Sequence, residues 1–362
     1  MHIQKVVLDN FRNIKNAEIA LGGGMNILYG DNAQGKTNFL ESVYFCATGR
    51  SHRTGRDKDL IGIGEKNARA KVFVHNQDGF ENNIGVDINK DGKSMRVNGL
   101  PIRRLGELYG YLLCVIFSPE DLSLVKAGPQ LRRRFMDMEL CQLYPAYYHN
   151  LKMYYKVMRQ RNNLLRDINT NPKLAETLDI WDEQLVHYGS NIIDTRKGFV
   201  KKISAITAKY QNEITGGREQ LEIIYKNHVE KDLFLEKLIK NRNIDILKRA
   251  TSVGVHKDDL EFKINGRDGR SFASQGQQRT AALSLKLAEI DLIREEKGHM
   301  PVLLLDDLLS ELDASRQKFL MERVRGMQTI ITLTGAENSF MEYLKQDGAR
   351  VFRVEEGFIN MV

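Results

Sequence analysis

Residues 30–37 read Gly30-Asp31-Asn32-Ala33-Gln34-Gly35-Lys36-Thr37, and the apolar run Met25–Tyr29 leads directly into them. Two glycines with four residues between them, then Lys and Thr, match the G-x-x-x-x-G-K-[ST] phosphate loop. Its chemistry needs those residue types. Glycine lets the backbone curl until its N–H groups face inward, and the following helix adds partial positive charge at its N-terminus. Lys36 is placed to reach the β and γ phosphates and Thr37 to hold magnesium. The context agrees: after Lys36, the residues Phe39, Val43 and Ala47 recur every fourth position, as on a helix. A strand, a loop of Gly30, Asp31, Asn32, Ala33, Gln34 and Gly35, and a helix together predict a nucleoside triphosphate site in an α/β fold. Asn89-Lys90-Asp91-Gly92 comes one position short of the guanine-reading N-K-x-D. It reads as a hairpin turn, so ATP is preferred over GTP.

The carboxylate that such a site requires lies far down the chain. Val302-Leu303-Leu304-Leu305-Asp306-Asp307 is a buried strand ending in two acids, at the strand end where α/β sheets place ligands. Asp306 is the expected magnesium partner. Asp307 is the expected residue to position the attacking water or take its proton. Between these two parts the pattern changes twice. From Ala70 to Gly99 the period is two, with turns at Asp78-Gly79, Asp91-Gly92 and Asn98-Gly99, which predicts an antiparallel sheet beside the parallel one. From about Val125 to Ile246 strand signals are few and helical spacing dominates, as at Leu151, Tyr154, Tyr155 and Met158, or Leu185, Tyr188 and Ile192. No a/d heptad is sustained, which excludes a long coiled coil. Three segments are expected: 1–124, one half of the head; 125–245, a basic helical insertion; and 246–362, the other half.

Phe272-Ala273-Ser274-Gln275-Gly276-Gln277-Gln278-Arg279 opens another helix. Ser274 offers a hydroxyl, Gly276 permits close backbone approach, and the helix end favours an anion. A chain with one phosphate loop and a second phosphate-gripping helix end is most simply explained by a dimer, with each nucleotide sandwiched between two subunits.

Ser274–Gln277 resembles the signature loop of ABC-type ATPases, and Leu303–Asp313 resembles their Walker B strand followed by the D-loop. Other stretches narrow the resemblance. They are Asn10–Asn13, Ser51–Thr54, Phe117–Asp121, Arg132–Phe135, His256–Leu260 and Ser274–Arg279. Together, in order and over nearly the full length, they resemble the RecF family of bacterial recombination mediators. The resemblance implies an α/β ABC-type ATPase head, with a mixed phosphate-loop sheet, an antiparallel β lobe and a mostly helical inserted domain. It implies a head related to those of SMC proteins, binding ATP with Mg2+, in which Ser274, Gly276 and Gln277 touch the nucleotide. It further implies an ATP-dependent homodimer that binds duplex DNA or duplex/single-strand junctions. Such a protein works with RecR and RecO to load RecA at gaps, in fork recovery and the SOS response. The alternative is a protein-docking module gated by ATP, with incidental DNA affinity. Two departures from the wider ABC pattern point to slow hydrolysis. Asp307 stands where Glu is usual, and Thr332 and Thr334 stand where a switch histidine is expected. The Ser118–Asp121 region also lacks the glutamine of a Q-loop.

Charge suits either a polyanionic partner, nucleic acid first, or a solvated, mixed-charge helical surface. The chain carries a net charge of +7, and Val125–Tyr210 alone holds 15 Lys/Arg against 8 Asp/Glu. The longest apolar run, Tyr111–Phe117, is seven residues, whereas a membrane span needs about 20. Met1–Phe11 has no signal core and reads as a strand. Three widely spaced cysteines, Cys46, Cys114 and Cys141, argue for buried thiols in a reducing compartment, and the expected location is cytoplasmic. Among the remaining residues, Arg12 and Arg53 either reach phosphates or form ion pairs. Arg132–Arg134 either grip DNA or brace the insertion through carboxylates. Tyr144, Tyr147, Tyr148 and Trp181 read as packing residues rather than base-stacking platforms, and His256 as part of a structural or nucleotide-sensing loop.

Overall fold

The computed structural model describes residues 1–75, 79–168, 170–335 and 348–362. Contacts divide them into two compact units, Met1–Leu122 with Glu289–Val362, and Ser123–Ala288.

The first unit starts with β1 (His2–Phe11), β2 (Ile14–Ala20), β3 (Met25–Tyr29) and α1 (Lys36–Thr48). There follow β4 (Asn67–His75), β5 (Glu81–Asn89), β6 (Gly92–Val97), β7 (Leu100–Ile102) and β8 (Cys114–Phe117). Alternating burial along β4 and β5 leaves one face wet, as an antiparallel sheet allows. That sheet runs β2-β1-β4-β5-β6-β7. Its β5–β6 turn is an Asx turn: the Asn89 side-chain oxygen accepts from the N–H groups of Asp91 and Gly92. The turn reading of Asn89–Gly92 therefore holds. Asn98 and Gly99 both have positive φ, as a tight hairpin requires. At the expected Asp78-Gly79 turn, Asp78 lies outside the described residues.

The second unit holds α2 (Pro129–Leu143), α3 (Pro145–Asp167), α4 (Leu178–Thr215), β9 (Leu221–Lys226), α5 (Phe234–Lys240) and α6 (Arg242–Lys248). It continues through β10 (Asp259–Ile264), β11 (Arg267–Asp268), α7 (Gly269–Phe272) and the start of α8 (Gln275–Lys297). Among the described residues this unit is mostly helical, with a three-stranded sheet β11-β10-β9. Buried arginines brace it. Arg196 on α4 donates to the Tyr147 hydroxyl, the Val255 carbonyl, Asp258 and Asp137 at 2.7–2.9 Å. Arg161 on α3 pairs with Asp182 at 2.6 Å and Asp245 at 2.7 Å.

One segment boundary differs from the sequence reading. The chain does not return to the head at 246; the break falls after Ala288, within α8. The reason is pairing. β10 runs antiparallel to β9 along its length, and Arg132 forks onto Asp259, so 246–288 folds with the insertion. The sequence reading passed over β9.

The first unit closes with β12 (Val302–Leu305), α9 (Ala314–Arg323), β13 (Thr329–Leu333), β14 (Arg350–Glu355) and β15 (Phe358–Met361). The second sheet of this unit runs β15-β14-β3-β13-β12-β8, parallel except for the edge strand β15. β8, β12 and β13 are buried at every position, which explains the unbroken apolar sequences of β8 and β12 and the β-branched, largely apolar sequence of β13. Gln328, just before β13, bridges the two sheets. Its side-chain oxygen accepts from the Ile3 N–H at 2.6 Å, and its amide donates to the carbonyls of Ile3 and Gly22, each at 2.7 Å. The three cysteines are buried, and no described helix is long and apolar enough to cross a membrane.

Candidate nucleotide site

The loop Gly30–Lys36 leaves the C-terminal end of β3 and enters α1. Its glycines are required by space. A Cβ on Gly30 would lie 2.2 Å from the Val354 carbonyl oxygen, and one on Gly35 would meet the Asn13 side chain at 2.9 Å. Gly35 also has φ +119°, outside what side-chain-bearing residues favour. Ala33 takes φ +66°, and Asn13 holds it by donating to its carbonyl at 3.3 Å. Gln34 is fixed from the other side, accepting from the N–H groups of Glu356 and Gly357. The loop is thus a preformed ring of backbone. The buried Lys36 ammonium donates to the carbonyls of Gly30 and Asp31, at 2.7 and 2.8 Å. Asp31 and Asn32 complete the exposed rim.

Parallel pairing brings the second carboxylate to this loop. β12 lies between β8 and β13, and β13 adjoins β3. Asp306, at the end of β12, therefore meets the start of α1: the Thr37 hydroxyl donates to its Oδ1 at 2.8 Å. The Thr332 hydroxyl donates to the same oxygen at 3.0 Å and accepts the Asp307 N–H at 2.8 Å. Burial pushes the Asp306 carboxyl above its ordinary value, the neighbouring Asp307 charge adds to this, and the two hydroxyls only partly offset it. A divalent cation would reverse that penalty. A hydroxyl and a buried carboxylate 2.8 Å apart suit magnesium, which takes oxygen ligands and fills its remaining positions with phosphate and water. Asp307 is half-buried with φ +45°, so its backbone leaves the strand abruptly.

The arginines settle into ion pairs. Arg12, itself at φ +57°, forks onto Glu41 through Nε and Nη2, both at 3.0 Å. Arg53 reaches the Asn38 side chain at 2.9 Å and Glu41 at 3.4 Å, and the Ser51 hydroxyl donates to Glu41 at 2.5 Å. Burial alone would raise the Glu41 carboxyl. The bonds from Arg12 and Ser51, with both arginine charges, win and hold it below its ordinary value. Glu41 was missed in the sequence; the available signal was an acid on α1 amid Phe39, Leu40, Val43 and Tyr44. Beside this cluster lies a cavity of about 480 Å³ whose lining includes Asn10, Arg12, Asn13, Asn38, Ile61 and Ile63.

Ser274 lies in the second unit. It caps α8 reciprocally: the Gln277 N–H donates to its Oγ at 3.2 Å, and its own N–H donates to Gln277 Oε1 at 2.9 Å. This is a capping box. It occupies a lone pair of the Ser274 oxygen and leaves its O–H proton available. Open space surrounds Gly276, where an added Cβ would meet only Ser274 Oγ, at 3.9 Å.

Other candidates have structural roles. Arg132 is buried on Asp259 and Arg133 bonds the Asp258 carbonyl at 2.6 Å, so these two brace the insertion. Tyr147 is buried against Asp137 and Arg196, whereas Tyr144, Tyr148 and Trp181 are half-buried. His256 bonds the Tyr154 hydroxyl at 2.8 Å and the Thr251 carbonyl at 3.1 Å, and burial lowers its pKa to about 4. Asp121 turns back to accept from the Ser118 N–H and hydroxyl after β8.

The sequence matches the RecF/RecN/SMC N-terminal domain family over residues 2–360. It is 45% identical over 360 residues to the DNA replication and repair protein RecF of Lachnoclostridium phytofermentans, covering 99% of each chain. Its fold superposes with a TM-score of 0.92 on the recombination mediator RecF-ATP of the RecFOR pathway, which is 35% identical, covering 100% of this chain and 97% of that one. An Smc head bound to the winged-helix domain of ScpA shares the fold at a TM-score of 0.58 and 18% identity, covering 100% of this chain and 97% of that one. A phosphate loop joined to a distant carboxylate, the SMC-type head and a full-length match all agree: the chain belongs to the RecF/RecN/SMC N-terminal domain family and, within it, to the RecF proteins of DNA replication and repair.

Proposed function

We propose that this chain is an ATP-driven clamp of recombinational repair. It dimerises around two ATP molecules, binds DNA at gaps or duplex junctions, and resets by slow, DNA-stimulated hydrolysis. The observation that carries this reading is the 2.8 Å hydrogen bond from Thr37 to Asp306, which joins the phosphate loop to the strand-end acid. In the reading, Lys36 and the backbone of Gly30–Gly35 bind the triphosphate, and the cavity beside Asn13 and Asn38 takes the rest of the nucleotide. Thr37 and Asp306 hold magnesium, which when bound neutralises charge on the phosphate oxygens. Asp307 orients water and accepts its proton, with one methylene less reach than Glu. Arg12 lines the nucleotide cavity while Glu41 sets its direction.

Ser274 of one protomer, oriented by Gln277 and beside the open Gly276, donates to the nucleotide held by the other. Exposed cations on α3, at Lys152, Lys156, Arg159 and Arg166, repeat at helical spacing and suit a phosphate backbone. Family membership supports joint action with RecO and RecR in loading RecA, with a part in the SOS response, and a place in the cytoplasm.

The test is sedimentation with saturating ATP and magnesium. Wild type is expected to shift to dimer and Ser274→Arg to remain monomeric. DNA affinity is expected to fall linearly on a logarithmic salt scale. A wild type that stays monomeric with ATP bound refutes the sandwich.

A further inference from the structure

The span Leu233–Leu247 holds a concentration of exposed aliphatic side chains, whereas elsewhere in the described residues of this unit they stand singly, as at Leu131 and Ile180. On α5, Phe234 and Leu238 are buried, yet Leu235 and Ile239 lie exposed one helical turn apart. On α6, Asp245 is buried in its pair with Arg161, while Ile244 and Leu247 face water, Leu247 at 82% exposure. Folding does not require these four: each helix is already anchored through its other face. Single exposed aliphatics are ordinary, but successive pairs on adjoining short helices mark a contact surface.

Charge identifies the occupant. Neighbouring cations are neutralised within the chain: Arg242 by Asp179 and Asp182, and Lys231 by Asp194. Lys240, Lys248 and Arg249, which interleave with the apolar positions, are exposed and form no ion pair among the described residues. We infer that the α5–α6 surface docks an amphipathic helical segment of a protein partner, with aliphatic residues on one face and acidic residues at its margins. Isologous pairing with a second copy would set these cations against themselves. Single-stranded nucleic acid would need a stacking ring, and the four exposed positions are aliphatic. A lipid surface would need a longer continuous apolar helix face.

The experiment selects a display library of random peptides against the full chain, without nucleotide. The most enriched sequence is then synthesised and titrated by fluorescence anisotropy. The expected result is a peptide with negative net charge and aliphatic residues three and four apart. Its affinity falls about tenfold or more on Ile239→Ser/Leu247→Ser and again on Lys240→Glu/Lys248→Glu. Circular dichroism checks folding; should the serine pair not fold, the charge-reversal pair carries the test. No enrichment, enrichment of basic peptides, or binding indifferent to both pairs overturns the inference. So does a duplex oligonucleotide, a phosphatidylcholine/phosphatidylglycerol vesicle or self-association that loses as much as the peptide on Ile239→Ser/Leu247→Ser.

Discussion

Replacing Glu41 by Gln keeps the shape of the side chain and removes its charge. In wild type this carboxylate is fully buried, while Arg12 and Arg53 are 21% and 39% exposed. Breaking a fully buried pair costs about 3–5 kcal/mol, because an unmatched charge stays in the interior. Here the orphaned arginines can regain water, so the expected loss for Glu41→Gln is about 2–3 kcal/mol. The geometry also divides that loss. Arg12 makes a two-point fork at 3.0 Å, whereas Arg53 makes one longer contact at 3.4 Å. Double-mutant cycles should give about 2 kcal/mol of coupling between Glu41 and Arg12. Coupling to Arg53 should stay under ~1 kcal/mol. The sign with pH follows from the lowered Glu41 pKa. Its contribution is present above the unfolded carboxyl value and is lost as pH falls through the folded one. Urea unfolding at neutral pH, repeated in acid, measures all of this. An Arg12 coupling below about 0.5 kcal/mol, or an Arg53 coupling larger than that of Arg12, would refute the assignment of Glu41 as the holder of Arg12.

Three further outcomes are expected. His52 and His256 both have pKa values lowered to about 4, mainly by burial, so the unfolded chain binds more protons below about pH 6.5. Stability should fall from pH 6.5 towards 4, by roughly 3 kcal/mol per histidine at the acid end; a melting temperature that is flat between pH 7 and pH 5 contradicts this. Gln277→Ala removes half of the α8 capping box and should cost about 1 kcal/mol by thermal unfolding. It should also weaken ATP-driven dimerisation in sedimentation while leaving monomer nucleotide affinity unchanged, and a loss of monomer affinity would place Gln277 elsewhere in the mechanism. Gly30→Ala drives a methyl to 2.2 Å from the Val354 carbonyl oxygen, so the loop must shift. A loss of about 3 kcal/mol or outright misfolding is expected, and wild-type stability would show that β14 yields freely.

Much of the head was legible because its strands are buried on both faces. Val302–Leu305 is an unbroken apolar string, Met25–Tyr29 and the run ending at Leu333 are largely apolar, and each became a parallel strand. Turn chemistry was equally readable where one side chain does the work, as Asn89 does. The unread parts share a physical cause. β9 alternates only weakly and contains Tyr225, whose hydroxyl turns inward to Asp258. Nothing local marks its pairing with β10, so the second unit was expected to end too early. Glu41 and Thr332 matter through partners distant in sequence, and periodicity does not report such contacts. The arginine run Arg132–Arg134 left two readings open, a DNA grip or a brace through carboxylates, and at Arg132 the pair with Asp259 is the brace.

Gln328 fixes how tightly the head can be tuned. Its main chain belongs to one layer, its carbonyl accepting the Leu303 N–H, while its side-chain amide acts as a substitute peptide group for Ile3. Its carboxamide carries a donor and an acceptor on one planar end, spaced as in a peptide group, and Asn falls one methylene short. The splice therefore tolerates almost no exchange, and drift at this position would unfasten the antiparallel lobe long before it touched the nucleotide loop.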